Sequence, residues 1–387
     1  MKNLAVFFGG KSTEHDVSII TALQIINILN SVDEYNVYPI YFNHSNEMFL
    51  GKHSGDLSIN DFGQHFNKKR FQKVALISGD NSLYDMNKGR CKKICPLDVG
   101  VNCCHGGMGE NGSLAGLIDM CNFPIICGDN ASMALCMDKK LSKMICACNN
   151  INIVPYKVIN LCDYQRSGEL LLGELTKYPY IVKPSNLGSS IGVSYVENKA
   201  ELIKALELVY QFDDCALVEA KVQNLHEYNC SVIGSARINE VKVSNVEEPI
   251  IKNTYLTFDD KYVSNSKTKN TKINFGQKRG MENLSRRYPA DISDDLRIKI
   301  QDCSKKVFEV FNLSGVCRID YLYDAVSEEL YVNEINTVPG SLAYYFWVKD
   351  FDGERDFMRY IIDIAQQEFM FKKSKKFTYF SSILNNL

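Results

Sequence analysis

Cys317–Gly340 reads CRIDYLYDAVSEELYVNEINTVPG. Apolar and polar residues alternate on either side of Asp324–Glu329, DAVSEE, which predicts two strands joined as a hairpin. Arg318, Asp320, Glu334 and Asn336 interrupt runs otherwise fit for burial. Side chains alternate faces along a strand, so Arg318 and Asp320 share one face and Glu334 and Asn336 share one. Pairing across DAVSEE would bring a guanidinium, two carboxylates and an amide together. Carboxylate and amide oxygens suit Mg²⁺, which completes its shell with waters and substrate phosphates. On the hairpin alone two readings stay open. One is a metal site, of a kind a phosphatase or nuclease would also use; the other is an exposed sheet face with a surface ion pair.

Working outward, Ser293–Gly315, SDDLRIKIQDCSKKVFEVFNLSG, predicts the preceding helix. Ser293 caps it, acids fill its first turn, and Leu296, Ile300, Cys303, Val307 and Phe311 make its buried stripe. Residues 253–287 are basic, polar and rich in Asn, Ser and Gly. A segment that long without structure of its own is expected to be a lid or disordered. Lys183–Ser194, KPSNLGSSIGVS, lies between two strand-like runs. It would cradle phosphates with backbone N–H groups and hydroxyls, Lys183 adding charge, or serve as an ordinary glycine turn; it is not a GxxxxGK[ST] loop. Val218–Glu227, VEAKVQNLHE, would offer a strand edge to an adenine and a carboxylate to ribose, or form a plain amphipathic strand and turn.

The N-terminal part differs in pattern. Leu4–Gly10, LAVFFGG, predicts a buried first strand. Ile19, Leu23 and Ile26 then mark a helix over Val17–Leu29, and NVYPIYF, KVALIS, VGVNCC and FPIIC supply more strands. This alternation predicts an α/β unit, a doubly wound parallel sheet over about the first 125 residues. Loops after two of its strands, FFGGKSTEHDVS and CCHGGMGENGSLAG, carry Glu14, His15, His105 and Glu110 where such sheets bind ligands. A carboxylate there would hold a substrate ammonium, or cap and pack the loop. From about Ser132 a helix (MDKKLSKMICACNN) and the paired strands YPYIVKPS, SSIGVSYV, CALVEAKV and HEYNCSVIG predict α+β structure with antiparallel pairing.

Composition narrows the function classes. The chain is 45% hydrophobic and 23% charged with net charge −2, so no strong field recruits nucleic acid or a membrane surface. Neither a spanning run of ~20 apolar residues nor a signal peptide is visible, which predicts a cytoplasmic protein. The 14 cysteines include no CxxC, and the spacing of Cys91, Cys95 and His105 does not suggest zinc. Free, mostly buried thiols are expected.

Taken in chain order, FGGKSTEHDVS, HGGMGENGSLAG, CMDKKLSK, VKPSNLGSSIGVS, DDKY, CRIDYLYD and NEINTVPG resemble the D-alanine–D-alanine ligase family of the ATP-grasp superfamily, from about Asn3 to Gly340. The resemblance implies an N-terminal substrate domain (1–130) and a two-lobed ATP-grasp fold (131–214 and 215–350, with a lid at 253–287); residues 351–387 extend past the family's usual end and are expected to form a helical tail. It implies an ATP-dependent ligase joining two D-alanines through an acyl phosphate to make D-alanyl-D-alanine for peptidoglycan. Two Mg²⁺ ions, or Mn²⁺, would sit on Asp320, Glu334 and Asn336. Lys139, Lys183, Ser190 and Lys261 would reach the phosphates, Glu219 to Val222 the adenine, and Glu227 the ribose. Glu14, with Ser189 and Tyr262 as its hydrogen-bonded partners, would anchor the first ammonium. Arg318 and the Gly340 N–H would hold the oxyanion, and His105 and Ser341 would contact substrate. The partners implied are small molecules, with a homodimer by analogy. One stretch departs from the family pattern: after NTVPG this chain reads SLAYYFW, with Tyr345 and Phe346 where the second substrate's pocket is expected. A ligase with another second substrate, such as D-serine, and a nucleotide-binding regulator are the alternatives.

Overall fold

The computed structural model describes residues 1–376 except 52–53, 63–65, 67, 88–90 and 251–285, together with 378 and 381. Lys261, Tyr262 and the expected lid, apart from its last two residues, lie outside the described residues.

Three sheets organise the chain. The first contains β1 (Lys2–Gly9), β2 (Tyr35–Phe42), β3 (Met48–Gly51), β4 (Phe71–Ile77), β5 (Asp80–Asp85), β6 (Lys92–Pro96), β7 (Val99–Asn102) and β8 (Ile125–Ile126), in the order β6-β5-β4-β3-β2-β1-β7-β8. Strands β2, β1, β7 and β8 are parallel. Leu4 to Phe8 are wholly buried, as a strand covered on both faces requires. The other half is antiparallel, including the KVALIS strand, so the doubly wound parallel character stops at β2. Between β4 and β5 the reason is connection length. Only Ser78 and Gly79 separate β4 from β5, with Gly79 at φ +83°, and a parallel neighbour needs a crossover of about a dozen residues.

The second sheet orders β9 (Tyr156–Asn160), β10 (Tyr180–Pro184), β11 (Ser194–Val196) and β12 (Cys215–Ala220) as β11-β10-β12-β9. The third orders β13 (Leu225–Ser235), β14 (Glu240–Pro249), β15 (Arg286–Arg287), β16 (Ser314–Asp324) and β17 (Glu329–Asn336) as β15-β14-β13-β16-β17. Both are antiparallel throughout, as the α+β reading expects. A division at 214/215 would cut β12 from β10 and β9; the chain changes sheets between Ala220 and Leu225. Arg286 and Arg287, the end of the expected lid, are strand rather than loop.

Local chemistry explains the other departures. The helix expected over MDKKLSKMICACNN forms as Lys139–Cys148, and a further helix, Asn130–Met137, precedes it. Asp138 leaves helical geometry between them and accepts from the Lys140 and Leu141 N–H groups, capping the second. The strand expected from Ser189 begins only at Ser194, because Ser189, Ser190 and Gly192 take positive φ. Helix Asp294–Val310 is capped by Ser293 as predicted. Its buried stripe, however, uses Ser304 and Phe308 with Ile300 and Val307, while Leu296 and Cys303 are only partly covered.

The chain's end returns to its beginning. Phe357, Met358, Ile361 and Ile362 of helix Gly353–Lys373 share a core with Leu4, Val6, Val99 and Val101. Trp347, the one tryptophan, is buried there, and its Nε1 donates to Ser231 Oγ at 3.0 Å. We expect Trp347→Ala to lower unfolding free energy by about 3–5 kcal/mol, read from urea denaturation followed by circular dichroism. All 14 cysteines are free and most are buried. Among the described residues no helix is long and apolar enough to cross a membrane.

Candidate active site

The hairpin forms in the register that its pattern predicts. Arg318 lies opposite Asn336 and Asp320 opposite Glu334, with a bulge just after Asp320. Arg318 is buried, and its guanidinium grips Asp320 with two bonds, Nε to Oδ1 at 2.7 Å and Nη2 to Oδ2 at 2.8 Å. Asn336 Nδ2 donates to the same Oδ2 at 3.0 Å. Arg318 is therefore not a vacant cation; Asp320, two residues along the same strand face, already occupies it. Because one partner is buried and the fork is two-toothed, this is not the exposed ion pair of the bland reading.

Lysines face that hairpin. Lys139, the first residue of its helix, reaches Glu334 Oε1 at 2.9 Å and also donates to the Leu187 carbonyl. Burial works against its charge, but Glu334, Glu14 and Glu219 together outweigh burial and raise its pKa. Lys183 on β10 reaches Asn333 Oδ1 at 3.0 Å and Glu219 Oε1 at 2.9 Å. Glu219 on β12 is almost fully buried, with Lys143 on its other side at 2.9 Å. Its carboxylate is thus committed to lysines, so any contact with a base falls to the backbone beyond β12, at Lys221 and Val222. Lys139, Lys183, Ser190, Val222, Glu227, Asp320 and Glu334 all line one cleft between the second and third sheets.

The loops of the first sheet close the far end. Glu14 directly follows β1's loop, and His105 and Glu110 follow β7, the neighbouring parallel strand. Glu14 is buried and accepts from the Ser189 hydroxyl, which joins the glycine-rich loop of the second sheet to the first. Glu110 accepts from the Gly106 N–H at 2.7 Å and the Val338 N–H at 3.2 Å. Burial, with Glu14 nearby, pushes its pKa up to about 8. His105 Nε2 sits 2.8 Å from Thr21 Oγ1, and burial, aided by Arg318, pushes its pKa down to about 4, so the ring is neutral near pH 7. Ser341 is turned inward. Its N–H donates to Thr21 Oγ1 at 3.2 Å and its hydroxyl to Gln24 Oε1 at 2.5 Å. That hydroxyl holds the turn Gly340–Phe346 against helix His15–Asn30.

The arrangement gathers the candidate residues of all three sheets, apart from Lys261 and Tyr262, which lie outside the described residues. Lys143, Asn333, Thr21 and Gln24 escaped the sequence reading. For Lys143 a signal existed, since it stands four residues after Lys139 on one helical face. Among the described residues no group of three or more His, Cys, Asp or Glu side chains is placed to hold a metal. Two carboxylates and an amide on one hairpin nevertheless fit Mg²⁺, which draws its remaining oxygens from water and phosphate.

The family model described as D-ala D-ala ligase N-terminus matches residues 3–128, and that described as D-ala D-ala ligase C-terminus matches 145–351. The chain belongs to the D-alanine–D-alanine ligase family. As a member it is an ATP-dependent ligase with the ATP-grasp fold. It is 36% identical to the D-alanine–D-alanine ligase of Thermosipho melanesiensis over 90% of this chain and 89% of that protein. The corresponding protein of Thermosipho africanus is 32% identical, over 97% and 96% of the two chains. Among solved structures, the family's Helicobacter pylori enzyme superposes with a TM-score of 0.70 at 27% identity, covering 95% of this chain and 98% of that one. The D-Ala:D-Ser ligase of Enterococcus faecalis, at 24% identity and TM-score 0.75 over 94% and 99% of the chains, shares the fold.

Proposed function

We propose that the protein joins two D-alanines at the expense of ATP, giving D-alanyl-D-alanine for peptidoglycan. The observation that carries this reading is one cleft with Lys139 and Lys183 on one wall and Asp320 and Glu334 on the other, Asn336 bonded to Asp320, and Glu14 tied through Ser189 to the loop at one end. Glu14 holds the ammonium of the first D-alanine, Ser189 fixing that carboxylate and Tyr262 completing the latch. His105, neutral, lines the substrate end, and Ser341 positions the turn beside it. The first carboxylate's oxygen attacks the γ-phosphorus of ATP, forming an acyl phosphate and releasing ADP. Lys139 and Lys183, with Ser190 and Lys261, offset the repulsion between the two anions. Glu219 to Val222 receive the adenine, through the backbone at Lys221 and Val222, and Glu227 takes the ribose. The second amine, after losing a proton, attacks the acyl carbon. Arg318 and the Gly340 N–H stabilise the tetrahedral oxyanion, which collapses with departure of phosphate. The residues that would hold two Mg²⁺, or Mn²⁺, are Asp320, Glu334 and Asn336; such ions supply charge neutralisation at the phosphates. The proposed divisions are 1–130, 131 to about 220, and from there to 350 with the tail beyond; the protein acts in the cytoplasm on small molecules, as a homodimer.

Phosphate release from ATP, measured with D-alanine, D-serine, D-lactate and L-amino acids and followed by mass spectrometry of products, tests this. Release with D-alanine alone, yielding the dipeptide, is the expected result. Release only with D-alanine plus D-serine would move the second substrate, and no release with any would leave a regulator. Gly188 gives a finer check. A Cβ there would lie 2.8 Å from Glu14 Oε2. Gly188→Ala should raise the D-alanine KM about tenfold, the weight of one charged hydrogen bond, with the Kd for ATP unchanged by calorimetry.

A further inference from the structure

Lys143 is a buried cation that the mechanism does not use. It is 2% exposed and stands behind the residues that line the cleft. Its Nζ lies 2.9 Å from Glu219 Oε1 and 5.6 Å from the centre of the Tyr156 ring. No other acceptor serves it among the described residues. Burying an ammonium is costly unless something is gained from its charge. Glu219 Oε1 is the same atom that Lys183 approaches at 2.9 Å, so one carboxylate oxygen is shared by two ammonium groups.

We propose that Lys143 is a positioning residue for nucleotide binding: by sharing Glu219, it leaves Lys183 with net positive charge to offer the triphosphate. The inference rests on the ligase reading above. With all three groups ionised, the Lys143–Glu219–Lys183 cluster carries one net positive charge. Without Lys143 the remaining pair is neutral, and Lys183 is drawn wholly to Glu219 and Asn333. Helix geometry makes the division of labour possible. Lys139 and Lys143 are one turn apart on the same face, so the helix sends one lysine into the cleft and one behind it. Burial, with Lys143 and Lys139 opposing its charge and Glu219 favouring it, pushes the Lys183 pKa down to about 8, so the ammonium form still predominates near pH 7.

The test uses the full-length protein. Kd for ATP is measured by calorimetry with Mg²⁺ present, and KM for D-alanine by phosphate release. Lys143→Met should weaken ATP about tenfold, the weight of one charge-assisted contact, while KM for D-alanine stays within about twofold. Lys143→Arg should restore most of the affinity. The double variant Lys143→Met/Glu219→Gln regains the net charge of the wild-type cluster and should bind ATP more tightly than Lys143→Met alone, a coupling that lost packing does not produce. ATP binding unchanged in Lys143→Met, or a double variant no better than the single one, overturns the inference while leaving the ligase reading in place. A wild-type protein that binds no ATP overturns both.

Discussion

Arg318→Met is expected to slow dipeptide formation by about 10²–10³-fold, the usual loss when one oxyanion donor is removed. The geometry says why the effect should fall on turnover. Arg318 is buried on β16 and held by both Asp320 oxygens, so it is already aimed and does not reorganise when charge develops. A donor fixed in advance in a site shielded from water contributes more to the transition state than to ground-state binding. The substitution also frees Asp320, which Asn336 then holds alone. Part of the loss would therefore appear in ATP binding, and single-turnover measurement at saturating ATP separates the two. Arg318→Lys should recover only a fraction, because an ammonium cannot make the two-toothed bond. A single-turnover rate within about fivefold of wild type would remove Arg318 from the oxyanion role.

That hairpin was legible because its information is local. A period of two, a turn between, and polar groups at fixed positions suffice to predict a face, and the register follows once the strands pair. Glu14, His105 and Glu110 were legible for a related reason: each follows a buried apolar strand by a few residues. The antiparallel half of the first sheet was not, since KVALIS has the same apolar pattern whichever way its neighbour runs. Ser341 illustrates a second limit. Its sequence neighbours put it beside the catalytic turn, but what its hydroxyl does depends on Gln24, more than three hundred residues earlier in the chain. The tail is similar. Its helical character is expected from the sequence, whereas its packing of Phe357 and Ile361 against the first sheet is not. Glu219 shows what a resemblance leaves open about a side chain: the position borders the cleft, and its carboxylate faces Lys143 and Lys183.

Glu334→Gln should be at least as damaging as the loss of Arg318, for two reasons that act on one step. The carboxylate is the partner of Lys139, and with Glu14 and Glu219 it keeps that lysine's charge against the cost of burial. It is also one of only two carboxylates on the hairpin face where a divalent cation would be held. An amide keeps the shape and one acceptor oxygen but removes the negative charge that both cations require. The expected result is a fall in kcat of roughly 10³-fold, corresponding to the several kcal/mol that charge neutralisation by a metal supplies at a phosphoryl group. Raising Mg²⁺ should recover little of it, because the missing element is a ligand charge and not ion occupancy alone. Chelation supplies the control. Removing divalent ions should abolish wild-type phosphate release and leave the small residual rate of Glu334→Gln almost unchanged. If Glu334→Gln instead retains most of its activity at ordinary Mg²⁺ and remains as sensitive to chelation as the wild type, the metal does not sit on this hairpin, and the acyl-phosphate step must be placed elsewhere in the cleft.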